Sequence, residues 1–201
     1  MAGTDASCPL RFRATRDVLA WWQAARPADG LPGRRAIEPL AFPRALPHVW
    51  LCVHDARSAD FRYSLSGEEI DAVFGRSLKG RPLAAMFATH ASWRAVYETF
   101  SRVIREPAVY HGLGCIYRQL GRHRTGERLI LPILDDAGTR SAILGVTVYE
   151  SPAPHKRPVQ DYPAPAIGDA PSGPSDPEAW GPADVHENFY PLDAVAAWTV
   201  S

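Results

Sequence analysis

The side chains able to do chemistry are thinly spread along this chain. His48, His54, His90, His111, His123, His155 and His186 include no pair at i, i+4 with a nearby acid, the helical arrangement many zinc sites use, so no metal site is assigned. His123 falls in an arginine-rich stretch and reads as solvated. Cys8, Cys52 and Cys115 have neither paired nor CxxC spacing, which argues for a reducing compartment and against a disulfide frame. Cys52 and Cys115 lie in strand patterns and read as small core side chains. No G-x-S-x-G elbow is present, and Ser66 sits in a turn where helix capping accounts for it. Glu68 and Glu69 are helical neighbours pointing about 100° apart, so they share no site. Nothing here is assigned as catalytic. The run Gly75-Arg-Ser-Leu-Lys-Gly80-Arg81 has glycines and a lysine, but Arg81 and Pro82 stand where a phosphate loop needs lysine and hydroxyl. It reads as a helix-ending turn. Gly112-Leu-Gly114 lacks a third glycine and sits in a strand pattern, so a bulge or close backbone approach is expected there.

The elements that must position these residues are clearer. His48–Asp55 is rich in strand formers, Ala56–Ala59 is a polar break, and Phe61–Leu65 alternates as a half-buried strand does. A hairpin follows. Ser66 or Gly67 then caps a helix whose Ile70, Val73 and Phe74 share a face and whose left-handed stop is Gly75. Upstream, Thr15 is the expected cap of a helix to about Arg26, with Val18, Leu19, Trp22 and Ala25 as its apolar face. Trp21 and Trp22 are adjacent and cannot both face one core, so one is expected at an interaction surface. A short helix is expected around Leu40–Leu46, a turn of helix between Pro82 and Phe87, and a longer helix over Ser92–Arg105. Three strands come next, Ala108–Arg118, Glu127–Leu134 and Arg140–Glu150, joined by a loop at Gly121–Gly126 and a turn at Asp135–Gly138. Two strands, helices, then three strands give an α+β domain with one antiparallel sheet packed against inserted helices.

Composition limits the possible functions. The 22 basic and 22 acidic residues cancel, so no global field favours nucleic acid or an anionic membrane. Lysine occurs only at Lys79 and Lys156, an imbalance that reads as genomic composition. No signal peptide or membrane span is visible, and a soluble cytoplasmic protein is expected. Residues 151–185 are dense in proline, glycine, serine and aspartate and read as a linker or tail. Residues 186–201 recover Phe189, Tyr190, Leu192, Val195 and Trp198, which suit a short helix starting near Pro191; the segment is expected to dock, on the domain itself by preference because it is tethered, or else on an external partner as a short motif. Residues 1–14 read as a flexible amino terminus.

The stretch FRYSLSGEEIDAVFGRSLKG resembles the F-R-Y-x-L-x-G-x-x-I-x-x-x-F-G-x-x-L-x-G signature of a bacterial family of short stand-alone PAS domains. Trp21-Trp22, Leu31-Pro32, Ile37-Glu38-Pro39 and Leu46-Pro47 are similar to that family's lead-in, and Leu129–Ile133 to its penultimate strand, over residues 15–150 in all. The resemblance implies a five-stranded antiparallel sheet, helices inserted between strands two and three, and an amino-terminal helix. It implies that the first strand lies between the second and the last. It also implies a ligand cavity between sheet and helices, which makes Phe74, Met86, Phe87, His90, Trp93, Tyr97 and His111 the pocket candidates. Some PAS domains hold haem through a histidine of the helical layer, the place of His90, yet an exposed helix-start histidine is the simpler reading; neither haem nor flavin is expected. The implied function is a non-catalytic sensory or regulatory module, gated by a small apolar ligand or serving as a plain adaptor. With no output domain in view, it would act on another protein or as a homodimer through the amino-terminal helix. The alternative is a small isomerase or hydrolase using His111 or His90 as base in the same cavity.

Overall fold

A computed structural model describes residues 8–28, 30–119, 122–150 and 185–199. Most of the expected linker, with His155, lies outside the described residues.

One antiparallel sheet organises the chain. Its strands are β1 (Val49–Asp55), β2 (Asp60–Ser66), β3 (Ala108–Gln119), β4 (Arg122–Ile133), β5 (Ala142–Tyr149) and β6 (Val185–Pro191), in the order β2-β1-β5-β4-β3-β6. β1 therefore lies between β2 and β5. The sheet has six strands, where five were expected. Residues 185–191 pair along β3, with Tyr190 opposite Val109 and Val185 opposite Gly114. The physical reason is that β3 would otherwise present an open edge, and the carboxyl-terminal segment supplies the missing row of backbone partners. β4 is also longer than expected. Most of the expected loop Gly121–Gly126 belongs to the ladder, with Arg122 opposite Gln119 and Gly126 opposite Gly114, so β3 and β4 form a long hairpin.

Among the described residues four helices flank the sheet: α1 (Arg13–Ala25), α2 (Glu68–Phe74), α3 (His90–Arg105) and α4 (Leu192–Ala196). The helix expected at Leu40–Leu46 is instead two 3-10 turns, Pro39–Ala41 and Leu46–His48. Pro43 and Pro47 remove the donors a continuous helix would need. α3 starts at His90, two residues early, because Thr89 is its cap and accepts from the Ser92 amide at 3.2 Å. α2 ends on Gly75 at φ 65°, where its amide closes on Ala72 and Asp71 carbonyls. Its other end is fixed by a close approach: a Cβ on Gly67 would collide with the carbonyl oxygens of Leu46 and Pro47.

Alternation along the strands creates two cores. On one face Val18, Leu19 and Trp22 of α1 pack over Val49, Leu51, Leu129, Leu131, Leu144 and Val146, joined by Val195 and Trp198 from the carboxyl terminus. On the other, α2, α3 and the turn Leu83–Met86 pack over Trp50, Cys52, Phe61, Tyr63, Tyr110, Ile130 and Ile143. Among the described residues no helix is long and apolar enough to cross a membrane.

Candidate functional site

The helical face of the sheet carries an aromatic layer. Trp50 of β1 stacks on Phe100 of α3 with centroids 5.1 Å apart and rings 21° from parallel. Phe61 meets Phe100 edge-on at 5.4 Å and Tyr97 at 5.7 Å, while Trp93 and Tyr97 lie 5.1 Å apart. Each polar tip in this layer has one partner. Trp93 Nε1 donates to Asp60 Oδ1 at 2.9 Å, and Tyr97 Oη lies 3.2 Å from His54 Nε2. Asp60, itself buried, also receives the Ala84 amide at 2.9 Å, which anchors the turn before α3 to the start of β2.

Of the seven pocket candidates, six belong to this face. Met86 is buried, and Phe74, Phe87, Trp93 and Tyr97 are half-buried against its cluster. His90 is at its rim, exposed at the first turn of α3 with its ring 4.8 Å from that of Trp93. His111 does not belong there. Along β3 the side chains alternate, so Tyr110 enters the helical face and His111 enters the α1 face.

At His111 the structure builds a second constellation. His111 Nε2 lies 2.9 Å from Glu127 Oε1 across the β3–β4 ladder, and both side chains are buried, at 4% and 0% exposure. Glu127 also receives the Arg11 amide at 2.8 Å, the Phe12 amide at 3.0 Å and the Thr15 hydroxyl. Thr15 is thus not the cap of α1 as expected. It lies in the first turn, and the capping group comes from β4. Burial alone would push the Glu127 carboxyl up, but hydrogen bonds from His111, Thr15, Arg11 and Phe12 outweigh it, so its pKa lies below the usual value. His111 Nδ1 has no partner among the described residues. A histidine oriented by a carboxylate has the form of a general base, but both Glu127 oxygens are occupied and the lead-in covers the pair. The thiol beside the pair is that of Cys8, and burial, with the Glu127 charge adding to it, raises its pKa above the usual value and disfavours the thiolate.

Several site residues escaped the sequence reading. Arg128 of β4 projects into the helical face, donating from Nε to Thr147 Oγ1 at 3.3 Å and from Nη2 to the Ile116 carbonyl at 3.1 Å. It tempers the rise that burial causes in the phenols of Tyr63 and Tyr149. Tyr110 Oη donates to Glu187 of β6 at 2.7 Å. Trp50, Tyr63, Arg128 and Tyr149 alternate with residues of the opposite face, and that period-two parity is the signal that could have found them.

The adjacent tryptophans divide their roles. Trp22 is fully buried and donates from Nε1 to the Pro132 carbonyl at 2.9 Å, so it belongs to the core and not to an interaction surface. Trp21 is half-buried, edge-on to Phe42 at 5.5 Å.

A family model described as PAS domain matches residues 10–148. No curated protein matches the chain. Among solved structures it is similar to that of an RNA-binding light-oxygen-voltage receptor, at 21% identity and a TM-score of 0.37, over 62% of this chain and 35% of that one. The chain therefore spans about a third of the length of that receptor chain. With the family match covering well over half the residues, the chain belongs to the PAS domain family.

Proposed function

We propose that this protein is a non-catalytic, cytoplasmic sensory or regulatory PAS module that acts through contact with another protein. Its state is set by a small apolar ligand taken up between the sheet and the α2–α3 layer. The observation that carries this reading is the aromatic layer, in which half-buried Trp93 and Tyr97 are each held by a single polar contact, to Asp60 and His54. Rings secured at one point can turn or shift to admit an apolar body without stranding a buried polar group. α1 offers the contact surface, with half-buried Trp21 as its aromatic anchor for a partner or a second copy.

The alternative, a small isomerase or hydrolase, finds less support. His90 is exposed, with Trp93 as its ring neighbour, and His111 has its carboxylate but sits under the lead-in. Mass spectrometry of the purified full chain, native and then denatured, tests the reading. A small apolar molecule released on denaturation and missing from Trp93→Ala is the expected result. A sample carrying no such molecule removes the ligand and leaves the adaptor form. Turnover of ester or enol substrates that disappears in His111→Ala would favour the enzyme.

A further inference from the structure

The end of the domain where α1 stops carries a cleft of about 490 Å³. Its walls include Leu31, Pro107 just before β3, Leu134 just after β4, and Leu192 of α4. Two arginines, Arg26 and Arg140, also line it, and no acidic residue does among the described residues, Asp29 lying outside them. Arg26 is held in place: its guanidinium lies over the Trp22 ring at 4.8 Å, Nε donates to the Gly30 carbonyl at 3.2 Å and Nη1 to the Leu192 carbonyl at 3.4 Å. Arg140 is exposed and enters no ion pair among the described residues.

We propose that this cleft binds a small molecule bearing a carboxylate on a short aliphatic body. The planar fork of Arg140 suits a carboxylate, and the N–H groups of Arg26 not spent on the Gly30 and Leu192 carbonyls add further charge-assisted donors. The body lies on Leu31, Leu134 and Leu192, apolar surface that an inorganic anion would leave in water. Because Leu192 belongs to the segment that supplies β6, a ligand bridging it to Arg140 favours the docked form of that segment by mass action. The site lies beside α1 and is separate from the aromatic layer, so it stands whether or not that layer takes a ligand.

Calorimetric titration of the full chain with hexanoate and, separately, with inorganic phosphate tests this, repeated on Arg140→Gln. Arg140 is exposed, so the variant should melt with the parent, which keeps the comparison clean. Saturable hexanoate binding is expected, weakened at least about tenfold in Arg140→Gln, with phosphate weaker than hexanoate by about the same factor. Hexanoate protection of the 185–191 amides from hydrogen exchange is expected too. Absence of saturable hexanoate binding, undiminished binding in Arg140→Gln, or phosphate binding as tight as hexanoate each overturns the proposal.

Discussion

Glu127 of β4 closes the entry to α1: it receives the Arg11 and Phe12 amides just ahead of the helix and, from 112 residues away, the hydroxyl of Thr15 in its first turn. The N-cap residue, Phe12, has no side chain that can cap, so the Arg11 and Phe12 amides would be orphaned without this carboxylate. The negative charge also faces the positive end of the helix. Glu127→Ala strands the two amides, the Thr15 hydroxyl and His111, and should cost about 3–5 kcal/mol, the range for breaking a buried charged network. Glu127→Gln keeps shape but loses charge, and about 1–3 kcal/mol is expected. Urea unfolding measures both. Parent-like stability of Glu127→Ala would refute the capping assignment.

The same carboxylate sets an acid limit. Its pKa is lowered on folding, so the unfolded chain binds the more protons as pH falls. The stability it contributes is complete above its ordinary value of 4.5 and is lost as pH drops through the lower folded value. Asp135 acts in the same direction, lowered to about 2 chiefly by the Ser141 and Thr139 hydroxyls, though its turn is largely exposed and its weight is smaller. Unfolding free energy should therefore be steady from neutrality to about pH 5 and fall below it, with a shallower fall in Glu127→Gln. Parallel acid limbs in parent and variant would assign the loss to other groups.

These two residues also show where the sequence stopped being legible. Gly67, Ile70 and Gly75 could be read in place because hairpin, cap and helix stop are set by neighbours within a few positions, whereas Ser66 ends β2 and its hydroxyl donates to Asp71 instead of capping α2. Thr15 was misread because its partner lies on β4, and no local spacing encodes that pairing. His111 was given the wrong face because Leu129, Ile130 and Leu131 are apolar on both sides of the sheet, which erases the parity that would orient β3 and β4. β6 was missed because a strand completed by edge pairing leaves little local pattern: Glu187 and Asn188 are exposed, and Phe189 and Tyr190 enter opposite cores.

Gly75 and Gly67 serve the backbone in different ways, and two substitutions separate them. At Gly75, φ is 65° and nothing lies near the missing Cβ, so Gly75→Val should cost roughly 1–2 kcal/mol through conformation alone. Gly75→Asn, which tolerates that region, should recover much of it. At Gly67 the Cβ itself meets the Leu46 and Pro47 carbonyls, so even Gly67→Ala should destabilise. Thermal melts that leave Gly67→Ala at the parent value would show that the α2 entry can move aside.

Trp21 and Trp22 differ in burial, and their truncations should differ accordingly. Trp22→Ala removes a fully buried ring and its bond to Pro132, for about 3–5 kcal/mol. Trp21→Ala should cost much less in stability. If Trp21 anchors a second copy, sedimentation across a concentration series should shift toward the lighter species in that variant. Identical sedimentation of parent and Trp21→Ala would remove α1 as a dimer surface.

The carboxyl-terminal segment is clasped from both faces of the sheet. Phe189 packs edge-on to Tyr110 at 5.3 Å, with Arg102 of α3 4.0 Å above its ring. On the α1 side Tyr190 meets Trp198 edge-on at 4.7 Å, Val195 is fully buried, and Gln23 donates to the Val195 carbonyl at 2.8 Å. These contacts join a ladder running from Ala108–Pro191 to Gly114–Val185, so the segment should stay bound after the connection is cut. Uncut, tethering through about 35 residues adds an effective concentration on the order of a millimolar. Proteolysis between Pro152 and Pro182 should therefore yield two pieces that co-elute at micromolar concentration. Trp198→Ala, which empties a buried position and frees Tyr190, should let the carboxyl-terminal piece dissociate on the same column. A partner whose own strand pairs with β3 would have to displace this clasp, and added peptide 185–201 should compete with it. Separation of the parent pieces on cleavage would mean that the tether, rather than the contacts, holds β6 in place.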